Sequence, residues 1–101
     1  MPKDFDCLAA LRALGEEHRI RLLRLLLERE RAVNELAEAL DETQYNVSRH
    51  LKVLKGACLV EVTRQGQLRI YALAATFRER LSRDGNVLDL GCCQFDFRKL
   101  P

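Results

Sequence analysis

Four cysteines, Cys7, Cys58, Cys92 and Cys93, are the residues of this chain with the clearest capacity for chemistry. Cys92 and Cys93 are adjacent and follow Gly91. Neighbouring side chains on an extended strand point to opposite faces, so two consecutive thiolates can grip one centre only where the backbone turns, and glycine eases such a turn. Thiolates are soft ligands that favour thiophilic metals and metalloids over Mg²⁺ or Ca²⁺. The competing reading is that the pair packs as small apolar residues under Phe95 and Phe97. Cys7 shares an apolar stripe with Leu11 and Leu14, which suits a core residue, and it is also the candidate third ligand. His18 and His50 are the only imidazoles. Neither stands beside a nucleophile, and there is no glycine-rich phosphate loop or metal-hydrolase spacing, so no enzyme chemistry is expected.

A second constellation is polar. Gln44, Asn46, Ser48, Arg49 and Lys52 fall on one side of a segment whose other side carries Val47, Leu51 and Leu54. Such a helix can read a DNA major groove, with amides placed for adenine, arginine for guanine or phosphate, and hydroxyl and ammonium groups for the backbone. Arg64 and Arg69 follow close behind. A plain solvated helix face is the competing reading.

These residues need elements to hold them. Cys7, Leu8, Leu11 and Leu14 mark a first helix that stops at Gly15, and Ile20, Leu23, Leu26 and Leu27 mark a second from about Glu17 to Arg29, widened by Leu22 and Leu25. Val33, Leu36, Ala37 and Leu40 give a short third helix. Asp41-Glu42-Thr43 then turns the chain, with Thr43 as N-cap of a helix from Gln44 to about Gly56. Two short helices and a tight turn predict a helix-turn-helix. Period-two runs Leu59–Thr63 and Leu68–Leu73, joined by Arg64-Gln65-Gly66-Gln67, predict a hairpin directly after it, the wing of a winged helix. A last helix is expected from about Ala75 to Arg83. The fold class is therefore mainly α with a small β-hairpin (α+β), divided into a winged helix-turn-helix over residues 1–86 and a cysteine-containing sensor tail over 87–101.

The chain has 101 residues, 32% charged and with a formal net charge of +2, which suits one compact domain. Charge is unevenly spread: Thr43 to Leu73 holds five basic residues and one acid, net +4, so the remainder sums to −2. The basic excess thus sits on the expected DNA-reading segment. No apolar run is long enough to cross a bilayer, and Met1 to Asp6 carries acids without an apolar core, so a cytoplasmic location and no membrane partner are expected. In a reducing compartment the cysteines suit metal ligation or redox chemistry better than a disulfide scaffold.

The runs Leu11–Gly15, Arg19–Leu23, Glu35-Leu36-Ala37 and Val47–Leu54, with Leu59-Val60 and Ile70–Leu73, resemble the ArsR/SmtB family of winged-helix repressors over about Leu8 to Arg83. The most specific stretch is VSRHLKVLK. The resemblance implies a homodimer, paired through its first and last helices, that binds a palindromic double-stranded operator and lets go when a metal or metalloid inducer binds. The family's familiar cysteine site falls here on Ala32 and Asn34, and its last-helix site on Ala75–Leu81, which has no histidine. Neither site is present. C-terminal vicinal cysteines resemble those of arsenical-sensing branches, so Cys92 and Cys93 are expected to bind trivalent arsenic, as arsenite or methylarsenite, or another thiophilic metal ion. In the family the first helix packs near the partner's last helix, which would bring Cys7 in across the dimer. Cys58 stands where the family often has glycine and reads as structural. No organic cofactor is implied. Two other functions stay open: a thiol-based redox or persulfide sensor on the same fold, and a winged-helix interaction module without specific DNA binding.

Overall fold

The computed structural model describes residues 6–100. Met1 to Phe5 and Pro101, the outermost parts of the two expected units, lie outside them. Helix α1 (Cys7–Leu14) starts where the Asp6 side chain accepts from the Ala9 N–H at 3.1 Å, satisfying one of the free donors of its first turn. Helix α2 (Glu17–Glu28) begins in the same way, with Glu16 accepting from the Arg19 N–H at 3.1 Å. A two-residue strand β1 (Arg31–Ala32) leads into α3 (Val33–Leu40), where Glu35 reaches back to the Ala32 N–H at 3.0 Å. After the turn comes α4 (Gln44–Gly56), capped as expected by Thr43, whose Oγ1 accepts from the Asn46 N–H at 3.1 Å.

Strands β2 (Val60–Gln65) and β3 (Leu68–Leu73) form the antiparallel wing. Pairing runs out to Gln65 opposite Leu68, so the connection is only Gly66-Gln67, shorter than the four-residue turn expected. Gly66 has a φ of 63°, the left-handed conformation that tight hairpins require. The pairs β1–β3 and β3–β2 make a three-stranded sheet in which β3 is central.

The last helix, α5 (Ala75–Arg80), stops short of Arg83 because Leu81 bridges to Leu88. From there the chain forms a second hairpin, β4 (Val87–Asp89) and β5 (Gln94–Asp96), followed by a 3-10 turn at Phe97–Lys99. This hairpin lies against the helical core. Leu88, Leu90 and Phe97 are buried with Leu14, Leu22, Leu23, Leu36, Leu51 and Phe77 in one cluster. The rings of Phe97 and Phe77 lie 6.3 Å apart, and Arg24 of α2 donates to the carbonyls of Phe97 and Leu100.

Burial revises two apolar faces. In α1 the inward residues are Ala10, Ala13 and Leu14, the two alanines permitting close helix approach, while Leu8 and Leu11 are 56% and 37% exposed. In α2 Leu22 is fully buried with Leu23, and Leu26 is nearly so, whereas Ile20 and Leu27 are half-buried. No helix among the described residues is long and apolar enough to cross a membrane.

Candidate functional site

The polar face of α4 and the wing meet along a shallow groove lined by Tyr45, Arg49, Lys52, Lys55 and Arg69, with no acid among the lining residues. Gln44, Arg49 and Lys52 are exposed on this face. The Arg49 guanidinium lies 5.9 Å from the centre of the Tyr45 ring, a cation–π contact that holds both side chains outward. Arg69 of β3 donates to Ser48 Oγ at 3.1 Å, which ties the wing to α4. Arg64 and Arg69 are directly paired across the hairpin. Like charges in that position are destabilising unless an anion lies between or beside them.

Asn46 is placed differently from the other expected base readers. Its Nδ2 donates to Glu42 Oε1 at 3.0 Å, so the side chain braces the turn before α4. Glu42 also accepts from the Thr43 N–H, and these hydrogen bonds, with the Asn46 one foremost, hold its carboxyl below the ordinary glutamate range.

The cysteine constellation is assembled by the two ends of the chain. Cys7 opens α1 and is half-buried, and Cys92 and Cys93 occupy the turn between β4 and β5. The turn is local. Gly91 has a φ of 89°, its N–H donates to Asp89 Oδ1 at 2.8 Å, and the Leu90 N–H donates to the Cys93 carbonyl at 2.9 Å. Because the backbone reverses there, the two neighbouring sulfurs share one side, 4.0 Å apart. The Cys7, Cys92 and Cys93 sulfurs all lie within 4.8 Å of one another. Cys7 therefore joins the pair from the same chain, and no partner subunit is needed to bring it in. The sulfurs of Cys7 and Cys92 are joined as a disulfide, with the Cα atoms 6.3 Å apart, and Cys93 remains a free thiol. The sequence reading disfavoured a disulfide on compartment grounds; the fold places the two side chains at bonding separation across 85 residues of sequence.

Cys58 lies far from this cluster in role. It has a φ of 63°, the conformation glycine adopts most easily, and its carbonyl accepts from Thr76 Oγ1 at 2.6 Å, linking the end of α4 to α5.

One grouping escaped sequence reasoning. His18, near the start of α2, stacks on His50 of α4 with ring centres 5.3 Å apart and planes at 5°. His50 thus faces α2. Nothing in the spacing of two histidines separated by 31 residues signals this contact.

The model for "Bacterial regulatory protein, arsR family" matches residues 16–62, which span α2, α3, α4 and the first residues of the wing. The HTH-type transcriptional repressor SmtB of Mycobacterium tuberculosis is 45% identical over 64 residues, 63% of this chain and 47% of that protein. The chain thus matches about half the length of that curated relative. Among solved structures, reduced HlyU from Vibrio cholerae is 33% identical with a TM-score of 0.65, covering 68% of this chain and 73% of that one. The homodimeric winged helix-turn-helix DNA-binding domain of Mb0332 from Mycobacterium bovis, in solution, is 34% identical with a TM-score of 0.62, covering 74% and 77%. Fold, motif positions and these relatives agree, and the chain belongs to the ArsR/SmtB family of bacterial regulatory proteins.

Proposed function

We propose that this chain is a cytoplasmic, homodimeric transcriptional repressor released from double-stranded operator DNA by trivalent arsenic bound to Cys7, Cys92 and Cys93. The observation that carries the reading is the approach of three sulfurs to within 4.8 Å. Three thiolates and no fourth donor in the group suit a pyramidal As(III) better than Zn²⁺, which takes four ligands in a closed site. Starting from the reduced thiols, arsenite forms three As–S bonds, and its three hydroxyls leave as water with the three thiol protons. Methylarsenite needs only two of the sulfurs.

DNA contact is assigned to Gln44, Ser48, Arg49 and Lys52 of α4 and to Arg64 and Arg69 of the wing, with Asn46 acting through the Glu42 brace. The unneutralised Arg64–Arg69 pair and the acid-free groove support this assignment. Dimer pairing is assigned to the outer face of α1, where Leu8 and Leu11 are exposed. The named Mycobacterium bovis relative is a homodimer, which supports pairing as such. Arsenic would tie the first turn of α1 to the β4–β5 turn, changing how α1 meets its partner and hence the spacing of the two α4 helices, which major-groove binding sets at about 34–36 Å. A hundredfold fall in operator affinity asks for about 2.7 kcal/mol of coupling.

Operator titration of the reduced protein, with and without arsenite, tests this. Wild type should lose affinity with arsenite, and Cys92→Ser and Cys93→Ser should respond weakly. Normal responses in both variants would remove the cysteine site. A second reading is favoured by the Cys7–Cys92 bond, namely that oxidation of these two thiols, with peroxide reduced to water, is the signal. Release by peroxide but not by arsenite would select it. Absence of specific, salt-sensitive DNA binding would instead leave a protein-interaction module.

A further inference from the structure

A second cluster of ligating groups among the described residues contains no cysteine. Glu16 caps α2, His18 follows in its first turn, and His50 projects from α4. One ligand atom from each lies within 4.8 Å of the others. Glu16 Oε1 is 2.8 Å from His18 Nδ1, and Glu16 Oε2 is 3.6 Å from His50 Nδ1. A transition metal with bonds of about 2.0–2.2 Å holds its ligands about 3.4 Å apart, and these two contacts, made by different Glu16 oxygens, lie on either side of that value.

We infer that Glu16, His18 and His50 form a site for a borderline divalent transition metal such as Zn²⁺, Co²⁺ or Ni²⁺, independent of the thiolate site. Two imidazoles and one carboxylate fit that class of ion, whereas As(III) demands sulfur and Mg²⁺ or Ca²⁺ demand oxygen. The ligand atoms are a Glu16 oxygen and the Nδ1 of each histidine. Glu42 Oε2 stands 3.6 Å from the opposite nitrogen of His18, Nε2, where a carboxylate orients a metal-bound imidazole.

The surroundings supply both support and opposition. All three ligands are half-buried, so the side chains are already gathered out of open solvent. Arg19 opposes the ion, since its NH1 lies 3.4 Å from His50 Nδ1. That guanidinium is anchored elsewhere by the carbonyls of Ala13 at 2.6 Å and Arg12 at 3.2 Å, so it can give up the histidine and stay bound. An ion here would pin the start of α2, and through Glu42 the turn, to the middle of the DNA-reading helix.

Co²⁺ titration of the full chain carrying Cys7→Ser, Cys92→Ser and Cys93→Ser isolates this site from the sulfurs. One equivalent should bind with visible d–d bands and no sulfur-to-cobalt charge-transfer absorption. Adding His18→Gln removes a direct ligand and should weaken binding by at least the roughly 10- to 100-fold that loss of an outer-shell partner causes, with unchanged far-UV circular dichroism, and Glu16→Gln should weaken it in the same direction. His18 is part-exposed, so its replacement leaves the core intact and keeps the test interpretable. No binding in the triple-serine chain, or binding undiminished by His18→Gln, would overturn the assignment. Neither outcome depends on arsenic, so the two sites stand or fall separately.

Discussion

Replacing Phe97 with alanine asks whether the β4–β5 hairpin is part of the core that positions the cysteines. Phe97 is 5% exposed, with its ring 6.3 Å from Phe77 and 5.6 Å from Phe95. Its backbone carbonyl is also held by Arg24, which keeps the segment attached to α2 after truncation. Buried Phe→Ala changes cost about 3–5 kcal/mol. The hairpin lies at one margin of the core and can partly collapse, so a value near the lower end, about 3 kcal/mol, is expected. A domain of this size has a total stability on the order of 5–15 kcal/mol and loses about 4–8 °C in Tm per kcal/mol, so Tm should fall by about 12 °C or more. Urea denaturation supplies the free energy, with an unchanged m-value showing that the unfolding unit is the same. Phe95→Ala, at a half-buried position, should cost less. Arsenite affinity should fall alongside stability in the Phe97 variant, since Cys92 and Cys93 are placed by the same hairpin. A loss below about 1 kcal/mol, in the range of an ordinary surface change, would refute the reasoning and make the hairpin an appendage.

Cys58→Gly should stabilise the fold by up to about 1 kcal/mol, because it relieves a side chain held at positive φ, less the added freedom of glycine in the unfolded chain; a lower Tm would show that the backbone there is not strained. Lys52→Ala should weaken operator binding similarly for all sequences and reduce the slope of log K against log salt by about 1. An unchanged slope would take Lys52 off the phosphate-contacting face. The carboxyl of Asp84 is held below its ordinary pKa chiefly by the Ser82 hydroxyl, then by the Asn86 N–H. Its contribution to stability is therefore present above the unfolded value of about 3.9 and is lost as pH falls through the lower folded value. Denaturation between pH 6 and 3 should show Asp84→Asn with a shallower acid limb than wild type, and parallel limbs would contradict this.

Local signals made the DNA-reading half of the chain legible. Thr43 as cap, the 3.6-residue spacing of Val47, Leu51 and Leu54, and glycine in the hairpin all act within a few residues; α4 and β3 have the expected bounds, while β2 runs two residues past Thr63. What escaped was set by tertiary contact. Leu8 and Leu11 look like core residues by spacing, yet Ala10 and Ala13 take the inner face because only small side chains let α1 approach its neighbours closely. Strand β1 is two residues long and exists through its pairing with β3. The hairpin after α5 did leave a trace, since Leu88 and Leu90, and again Phe95 and Phe97, stand two residues apart, the period of a strand. Cys7 meeting Cys92 within one chain, and His18 meeting His50, had no trace at all, because the fold alone sets the distance between residues so far apart in sequence.

The small strand β1 has a consequence for how the protein behaves in concentrated solution. By pairing with β3 it closes one edge of the wing sheet, leaving β2 as the open edge. An unpaired strand is a template for other chains, and proteins defend such edges with charge and polarity. Along β2 the exposed positions are Glu61, Thr63, Arg64 and Gln65, while Val60 is turned into the core. The sequence that places Arg64 toward one end of this strand thus also discourages edge-to-edge pairing along the rest of it, and substituting β-branched apolar residues at Glu61 and Thr63 would convert the wing into an aggregation-prone edge.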